Sequence, residues 1–326
     1  MQIHFPGLLG QARIERKLSA EVANQRLAHA YLLIGPKGSG RATLALLLFM
    51  ALNCESRGVK PCLVCPSCVR AGKGQHENLI ILAPPHDQAS AQIKAEDLRE
   101  ALRATNFAPL RGGTRLILIR EAEHLNLTSA NALLKTLEEP PPGNLIMLSV
   151  QDTMSLLPTL VSRCRFLNLQ PLNSEVMFKA LQEKGCTQVA ARVALSNGSL
   201  GQATQLDPEL LQETLDELLK QLVEVNALAD LWATAAEVVG RFRGKERMDR
   251  QGIVALLSLL AQFYRDQAVK AAGRSDLALL EYRGPAMALD MALDNFNMVR
   301  VCQNQILANA QPELALTVLF SRLGRG

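Results

Sequence analysis

Four of the chain's seven cysteines fall between positions 54 and 68, with the spacing C-x7-C-x2-C-x2-C. Two-residue gaps between cysteines make tight turns whose thiolates converge on one tetrahedral ion, and four thiolates complete its coordination shell. The pattern therefore predicts a structural zinc site. A four-iron cluster could use similar ligands, but no other feature indicates electron transfer. Four unrelated buried thiols are the remaining interpretation. The predicted ligands are Cys54, Cys62, Cys65 and Cys68.

The second region with possible chemistry is a glycine-rich loop within YLLIGPKGSGRAT, residues 31–43. An apolar run enters this loop and a helix-forming run leaves it, which is the layout of a phosphate-binding loop at a helix N-terminus. The full motif ends in a lysine followed by serine or threonine. Arginine and alanine stand at those two positions, so the lysine and the magnesium-binding hydroxyl are missing. The residues of this altered nucleotide site are Gly35, Gly38, Gly40, Arg41 and Ala42.

A third altered group follows the third predicted strand. ATPases of this layout carry there an aspartate for magnesium and a glutamate for the attacking water. Arg120 occupies the aspartate position, and Glu121 follows it. A guanidinium cannot bind magnesium. Without the metal, Glu121 has little to act on. Loss of all three groups removes the charges that supply most of the catalysis in phosphoryl transfer. We predict a domain that descends from an ATPase but does not hydrolyse ATP, and we do not expect it to bind ATP.

These residues need an α/β framework to position them. Five apolar runs alternate with helical patterns up to residue 171, and only helical patterns follow. Such alternation predicts a parallel sheet covered on both faces, with ligands at the carboxyl ends of its strands. We predict an α/β P-loop domain with a five-stranded parallel sheet over residues 1–172, carrying the inserted zinc site at 54–68. A small helical lid domain over 173–207 and an all-α domain over 208–326 complete the prediction. The predicted strands are Tyr31–Ile34, Leu79–Ala83, Arg115–Ile119, Leu145–Val150 and Phe166–Leu169.

Composition narrows the class of protein. Of 326 residues, 48% are hydrophobic and 20% charged, which is typical of an ordered globular chain. Aromatic residues make up only 4%, which argues against a sheet that binds single strands by base stacking. The net charge of +4 permits contact with a polyanion without requiring it. Clustered cysteines favour a reducing cytosol and a metal site, and neither a secretion signal nor a membrane-spanning run is visible.

Several motifs together resemble one known family. They are Leu27-Ala-His-Ala-Tyr-Leu-Leu-Ile34, Asn131-Ala-Leu-Leu-Lys-Thr-Leu-Glu-Glu-Pro140, Ser162-Arg163-Cys164, the four cysteines and the altered loop. The chain closely resembles the delta-prime family of subunits of the bacterial DNA polymerase III clamp loader, within the AAA+ class. The motifs cover residues 7–172, whereas residues 173–326 match only in layout.

The resemblance implies a role in a five-subunit ring that opens a sliding clamp and loads it on primed DNA in the bacterial cytoplasm, at the nucleoid-associated replisome. Implied partners are the ATPase subunits (gamma/tau), the delta subunit, primer–template DNA and, indirectly, the clamp. In this family the Ser-Arg-Cys motif supplies an arginine in trans to a neighbour's ATP, here Arg163, the predicted catalytic residue. The active relatives also carry an arginine after a Gly-Ser-Leu motif. Gly201 stands at that position.

Alternatives stay open at the level of sequence. Arg163 could be a surface arginine or pair locally with an acidic residue. The chain could be a working ATPase in which Arg41 replaces the lysine, or a zinc-dependent DNA-binding adaptor. Arg111 and Arg115, which flank Gly112-Gly113, could contact DNA or form a solvated turn.

Overall fold

The computed structural model describes residues 3–85, 92–196, 198–224, 227–243, 248–275, 287–308 and 310–323. The chain forms two compact units. The first comprises residues 1–180 and 198–201, and the second comprises residues 181–197 and 202–326. The division into three domains at residues 172 and 207 stays a prediction.

The first unit contains the predicted parallel sheet. Its strands are β1 (Ala30–Ile34), β2 (Leu79–Leu82), β3 (Arg115–Ile119), β4 (Asn144–Val150) and β5 (Arg165–Asn168). All pairings are parallel, in the order β2-β3-β4-β1-β5. The sequence prediction of five parallel strands in an α/β P-loop domain is confirmed, and each strand begins and ends within one residue of its predicted bounds.

Helices cover both faces of this sheet. Before β2 lie α1 (Ala12–Ala23), α2 (Arg41–Asn53) and α3 (Pro66–Gly72). Later come α4 (Ala95–Ala104), α5 (Leu127–Glu138) and α6 (Pro158–Val161), with short 3₁₀ turns at Leu110–Gly112, Ala122–His124 and Thr153–Ser155. After β5 follows α7 (Ser174–Glu183), most of which belongs to the first unit. All residues of β3 and β4 are buried, as expected for strands covered on both sides.

Side-chain alternation along the strands divides the core of the first unit into two layers. One layer packs Leu33, Leu118 and Met147 against α1 and α2, and it includes Cys54 and Cys68. The other packs alternate strand residues against α4, α5 and α6. Two sides of one sheet therefore support two different sets of candidate site residues.

The second unit is helical throughout the part that the structure describes. It begins with α8 (Val189–Leu195) and with the last residues of α9 (Leu200–Gln205), whose first two residues belong to the first unit. Five longer helices follow. They are α10 (Pro208–Glu224), α11 (Leu228–Arg241), α12 (Arg250–Ala271), α13 (Leu289–Leu307) and α14 (Pro312–Leu323). Leucines of α10 recur at helical spacing, as at Leu211, Leu215 and Leu218, and they join one apolar core with α12. No helix in the described ranges is long and apolar enough to cross a membrane.

Candidate functional site

The glycine-rich loop runs from the end of β1 to the start of α2. Gly40 precedes α2 with φ of 91°, and Gly38 has φ of 77°, both in the left-handed region that favours glycine. A Cβ at Gly38 would also lie 1.8 Å from Ser199 Oγ. Glycine is thus required at position 38 both by backbone conformation and by the close approach of the Gly198-Ser199 segment.

The start of the loop is held against the ends of two strands. The Gly35 N–H donates to the Val150 carbonyl over 3.2 Å, and a Cβ at Gly35 would lie 2.6 Å from the Leu169 carbonyl oxygen. Glycine at position 35 therefore lets the loop pack against backbone at the carboxyl end of the sheet. This contact explains a glycine that the sequence analysis assigned to phosphate binding alone.

Glu121, the second residue after β3, forms an ion pair with the loop. Lys37 Nζ lies 3.3 Å from Glu121 Oε2, and His124 Nε2 lies 3.8 Å from the same oxygen. The backbone of Glu121 is left-handed, and its N–H donates to Ser149 Oγ over 3.2 Å. Burial raises the pKa of Glu121, but Lys37, His124 and Arg120 outweigh it and bring the pKa below its ordinary value. Glu121 is therefore a carboxylate that already has a cationic partner.

Arg41 is buried, with 8% of its surface exposed. Its Nη1 has no hydrogen-bond partner among the described residues. Burial lowers the pKa of Arg41, Glu123 and Glu121 act in the opposite direction, and Arg120 lowers it further. The guanidinium thus lies in the field of the two glutamates after β3. Glu123 accepts a long hydrogen bond from Gln151, at 3.5 Å.

The remaining candidate nucleotide residues add no magnesium ligand. Ala42 has no side-chain oxygen, and Arg120 carries a guanidinium where an ATPase carries a carboxylate. The Arg120 N–H donates to the Leu82 carbonyl and so continues the ladder between β3 and β2. The structure brings the loop and the end of β3 together in space, and their lack of nucleotide chemistry stays a prediction.

The four cysteines lie together, with their Sγ atoms all within 4.8 Å of one another. Cys54 directly follows α2, Cys65 precedes α3, and Cys68 lies within α3. The N–H groups of Cys62, Cys65 and Cys68 donate to the preceding cysteine sulfur at 3.3–3.4 Å. N–H groups of Val64 and Cys65 lower the pKa of Cys62 to about 6, whereas burial raises the pKa of Cys68 to about 12, so of these two only Cys62 favours the thiolate before a metal binds. This cluster could hold a metal ion.

A buried histidine that the sequence analysis did not single out supports this region. His76 Nδ1 accepts from the Asn78 N–H at 3.1 Å, which leaves the proton on Nε2, 3.0 Å from Ser67 Oγ. Its ring meets Phe49 of α2 edge to face, with centroids 5.0 Å apart. His76 therefore joins α2 to α3 as a neutral imidazole beside the cysteines.

Arg163 lies just after α6, and its side chain is about one-third exposed. Nη2 donates to Glu138 Oε1 at 2.5 Å, and Nη1 donates to the Thr159 carbonyl at 2.9 Å. Ser162 Oγ lies 3.4 Å from Nη1. Local pairing, one of the alternatives open at the level of sequence, is present within this chain, whereas donation to a neighbour stays a prediction.

The two arginines around Gly112-Gly113 differ from each other. Arg115 is 6% exposed, and it donates to the carbonyls of Ala104, Phe107 and Ala108 and to Asn144 Oδ1. Neither of the two alternatives left open for Arg115 holds, because its buried guanidinium binds the last carbonyl of α4 and carbonyls of the segment after it. Arg111 is exposed and lies 3.3 Å from Glu77.

Known proteins resemble this chain at the level of sequence. A sequence model of the family described as "DNA polymerase III, delta subunit" matches residues 10–173. The DNA polymerase III subunit tau of Salmonella typhimurium is 32% identical over 306 residues, covering 86% of this chain and 46% of that protein. The chain thus spans about half the length of the first curated relatives it matches.

Two relatives carry the name DNA polymerase III subunit delta'. That of Bacillus subtilis is 33% identical over 198 residues, covering 60% of this chain and 59% of that protein. That of Pseudomonas aeruginosa is 31% identical over 218 residues, covering 63% and 66%. The family model, these two relatives and the P-loop sheet agree. The chain therefore belongs to the DNA polymerase III delta-subunit family, as a clamp-loader subunit of the delta-prime type.

Proposed function

We propose that this chain is a non-hydrolysing member of the DNA polymerase III clamp-loader ring in replication. The observation that carries this proposal is the ion pair of Glu121: Lys37 lies 3.3 Å from this carboxylate, which an ATPase would use to activate the attacking water. The buried Arg41 guanidinium lies in the field of the same acidic turn. The cationic side chains of Lys37 and Arg41 thus balance the negative charges of the glutamates after β3. Because no residue supplies the lysine, the hydroxyl or the aspartate, the subunit has no means of clamping a transferring phosphoryl group.

In this role the chain acts on a neighbour's reaction. Arg163, on an exposed turn, is the residue that would reach the ATP of an adjacent gamma/tau ATPase subunit and stabilise charge on the transferring phosphoryl. The C-terminal helices would pack in the ring with those subunits and with the delta subunit. Primer–template DNA and the sliding clamp would be met through the assembled ring, at the replisome in the bacterial cytoplasm.

The cysteine cluster would hold a structural zinc ion. Four sulfur donors with no carboxylate among them suit a soft, tetrahedral site, and four ligands leave no open position for catalysis. Cys54 and Cys68 belong to the core layer that also contains Leu44 and Phe49 of α2. Metal binding would therefore stabilise the helix that follows the glycine loop.

Calorimetry and phosphate release test the inert site directly. The purified chain is titrated with ATP with and without magnesium, and a gamma/tau subunit serves as the positive control. We expect neither binding nor turnover above background. Tight binding with turnover would support the working ATPase in which Arg41 replaces the lysine.

The role in trans is tested in a ring reconstituted from the clamp-loader subunits of the chain's own organism. Arg163→Ala should reduce DNA-stimulated ATP hydrolysis by the ring, although this chain holds no ATP. Arg165→Ala is the matched control, because Arg165 lies two positions away and pairs with Glu21 at 2.9 Å. Equal ATPase rates for the Arg163→Ala and wild-type rings would refute donation in trans.

A further inference from the structure

Glu138 is the acidic partner of Arg163, and it comes from a different element. It is the last residue of α5, whereas Arg163 follows α6. Its Oε1 accepts from Arg163 Nη2 at 2.5 Å, and the Thr159 carbonyl holds Nη1 at 2.9 Å. The guanidinium is thus fixed at two of its three nitrogens by two separate segments of the chain.

The fixed guanidinium keeps donors for another molecule. Arginine has five N–H donors in a planar fork, and Nε of Arg163 has no hydrogen-bond partner in the described part of the chain. A free arginine side chain samples many rotamers, and ordering it opposes binding. Holding the fork before a ligand arrives removes part of that cost and fixes the direction of the unused donors.

We propose that Glu138 is the positioning residue for Arg163: it orients the guanidinium so that the unused donors meet the phosphates of ATP on the adjacent subunit. This inference rests on the proposed donation of Arg163 in trans. The ligand class is a nucleoside triphosphate, which carries several negative charges. We expect the attraction between these charges and the Arg163 guanidinium to exceed the repulsion between them and the single charge of Glu138. Glu138 is half exposed, so its charge is well screened by solvent.

Three substitutions test this role in the reconstituted ring. Glu138→Ala removes the hydrogen bond and the charge, and Glu138→Gln keeps a hydrogen-bond acceptor without the charge. Glu139→Ala is the control, because Glu139 is the next residue and is also exposed. Each variant is paired with Arg163→Ala in a double-mutant cycle, and thermal unfolding of the isolated chains checks that all fold.

We expect Glu138→Ala to lower the kcat of ring ATP hydrolysis by roughly three- to tenfold with little change in KM for ATP, since orientation acts at the transferring phosphoryl. Glu138→Gln should retain part of the lost rate, and Glu139→Ala should match wild type. In the Arg163→Ala background, Glu138→Ala should have no further effect.

The outcomes separate this inference from the proposed function. If Arg163→Ala slows the ring but Glu138→Ala does not, donation in trans stands and positioning by Glu138 is wrong. A faster ring with Glu138→Ala would mean that Glu138 competes with the nucleotide for Arg163. If Glu138→Ala lowers the ATPase rate equally in the wild-type and Arg163→Ala backgrounds, the effect of Glu138 is structural and does not act through the arginine. Failure of Arg163→Ala itself would remove the basis of both proposals.

Discussion

Lys37 in the glycine loop and Glu121 after β3 are joined by an ion pair of 3.3 Å between Nζ and Oε2. The pair links the two segments that the sequence predicts to form an altered nucleotide site, and it uses the glutamate that an ATPase of this layout would need. His124, 3.8 Å from the same oxygen, adds to this cationic surrounding when it is protonated. Charge pairs within the chain thus join the loop to the turn after β3.

Restoring the lysine alone should not restore the enzyme. For Arg41→Lys we expect no magnesium-dependent ATP turnover above background, because Ala42 and Arg120 still leave the metal without ligands. Phosphate release measures turnover, and calorimetry measures binding. The informative comparison is the triple variant Arg41→Lys, Ala42→Thr, Arg120→Asp, which we expect to bind magnesium and ATP more tightly than the single variant. Turnover by Arg41→Lys alone would contradict this explanation.

Zinc analysis checks the cysteine site. The purified chain should contain about one zinc ion, and Cys68→Ser should lose it. Because Cys68 also lies in the core, we expect that variant to lose at least about 3 kcal/mol in the free energy of unfolding of the first unit. Cys186→Ser, at an isolated cysteine outside the cluster, should keep the metal. A fully metal-loaded Cys68→Ser chain would refute four-cysteine coordination.

The buried Arg115 should matter far more than its exposed neighbour. Arg115→Met removes the guanidinium donor from the Phe107 and Ala108 carbonyls, which follow α4, and we expect a loss of about 3 kcal/mol in the free energy of unfolding measured in urea. Arg111→Met, at an exposed side chain, should change stability by less than about 0.5 kcal/mol. Similar losses in the two variants would argue against the capping role of Arg115.

His76 should make stability depend on pH. Burial is the main cause that lowers its pKa; Glu77 opposes it, and Arg70 and Arg111 act with it. The unfolded chain therefore takes up the proton first, near pH 6.5, and stability falls as pH drops below that value. We expect wild type to lose stability more steeply than His76→Gln between about pH 6.5 and 5. Any loss of metal at low pH affects wild type and His76→Gln alike. The difference between their stability curves therefore measures the contribution of His76. Parallel curves would show that His76 does not contribute.

Much of the fold could be predicted because the sequence patterns that indicate it lie within short stretches of the chain. Buried parallel strands are apolar runs bounded by helices, so β3 and β4 could be recognised from composition alone. The cysteines could be recognised because two-residue gaps already constrain their geometry. Their convergence in space agrees with the spacing, whereas the identity of the metal is a matter for measurement.

The rest depends on pairs that are distant in sequence. Nothing near Arg115 in the sequence indicates that the last carbonyl of α4 and two carbonyls of the segment after it surround the guanidinium, so beside two glycines it resembled a surface residue. The partners Lys37 and Glu121, and likewise Glu138 and Arg163, come from separate elements that only the folded sheet brings together. From a single sequence these charged residues cannot be paired with each other, and each is ordinarily interpreted as a solvated surface residue.

The two layers of the first unit put the cysteines and Arg163 on different sides of the sheet. Cys54 and Cys68 pack in the layer of α1 and α2, whereas Leu160 and Cys164, which flank the arginine turn, pack in the layer of α4 and α5. Oxidative damage to the thiols would therefore first disturb the side that carries the glycine loop. To reach the arginine, that disturbance would have to pass through the sheet from one face to the other. The sheet thus lies between the cysteine cluster and the turn that carries Arg163.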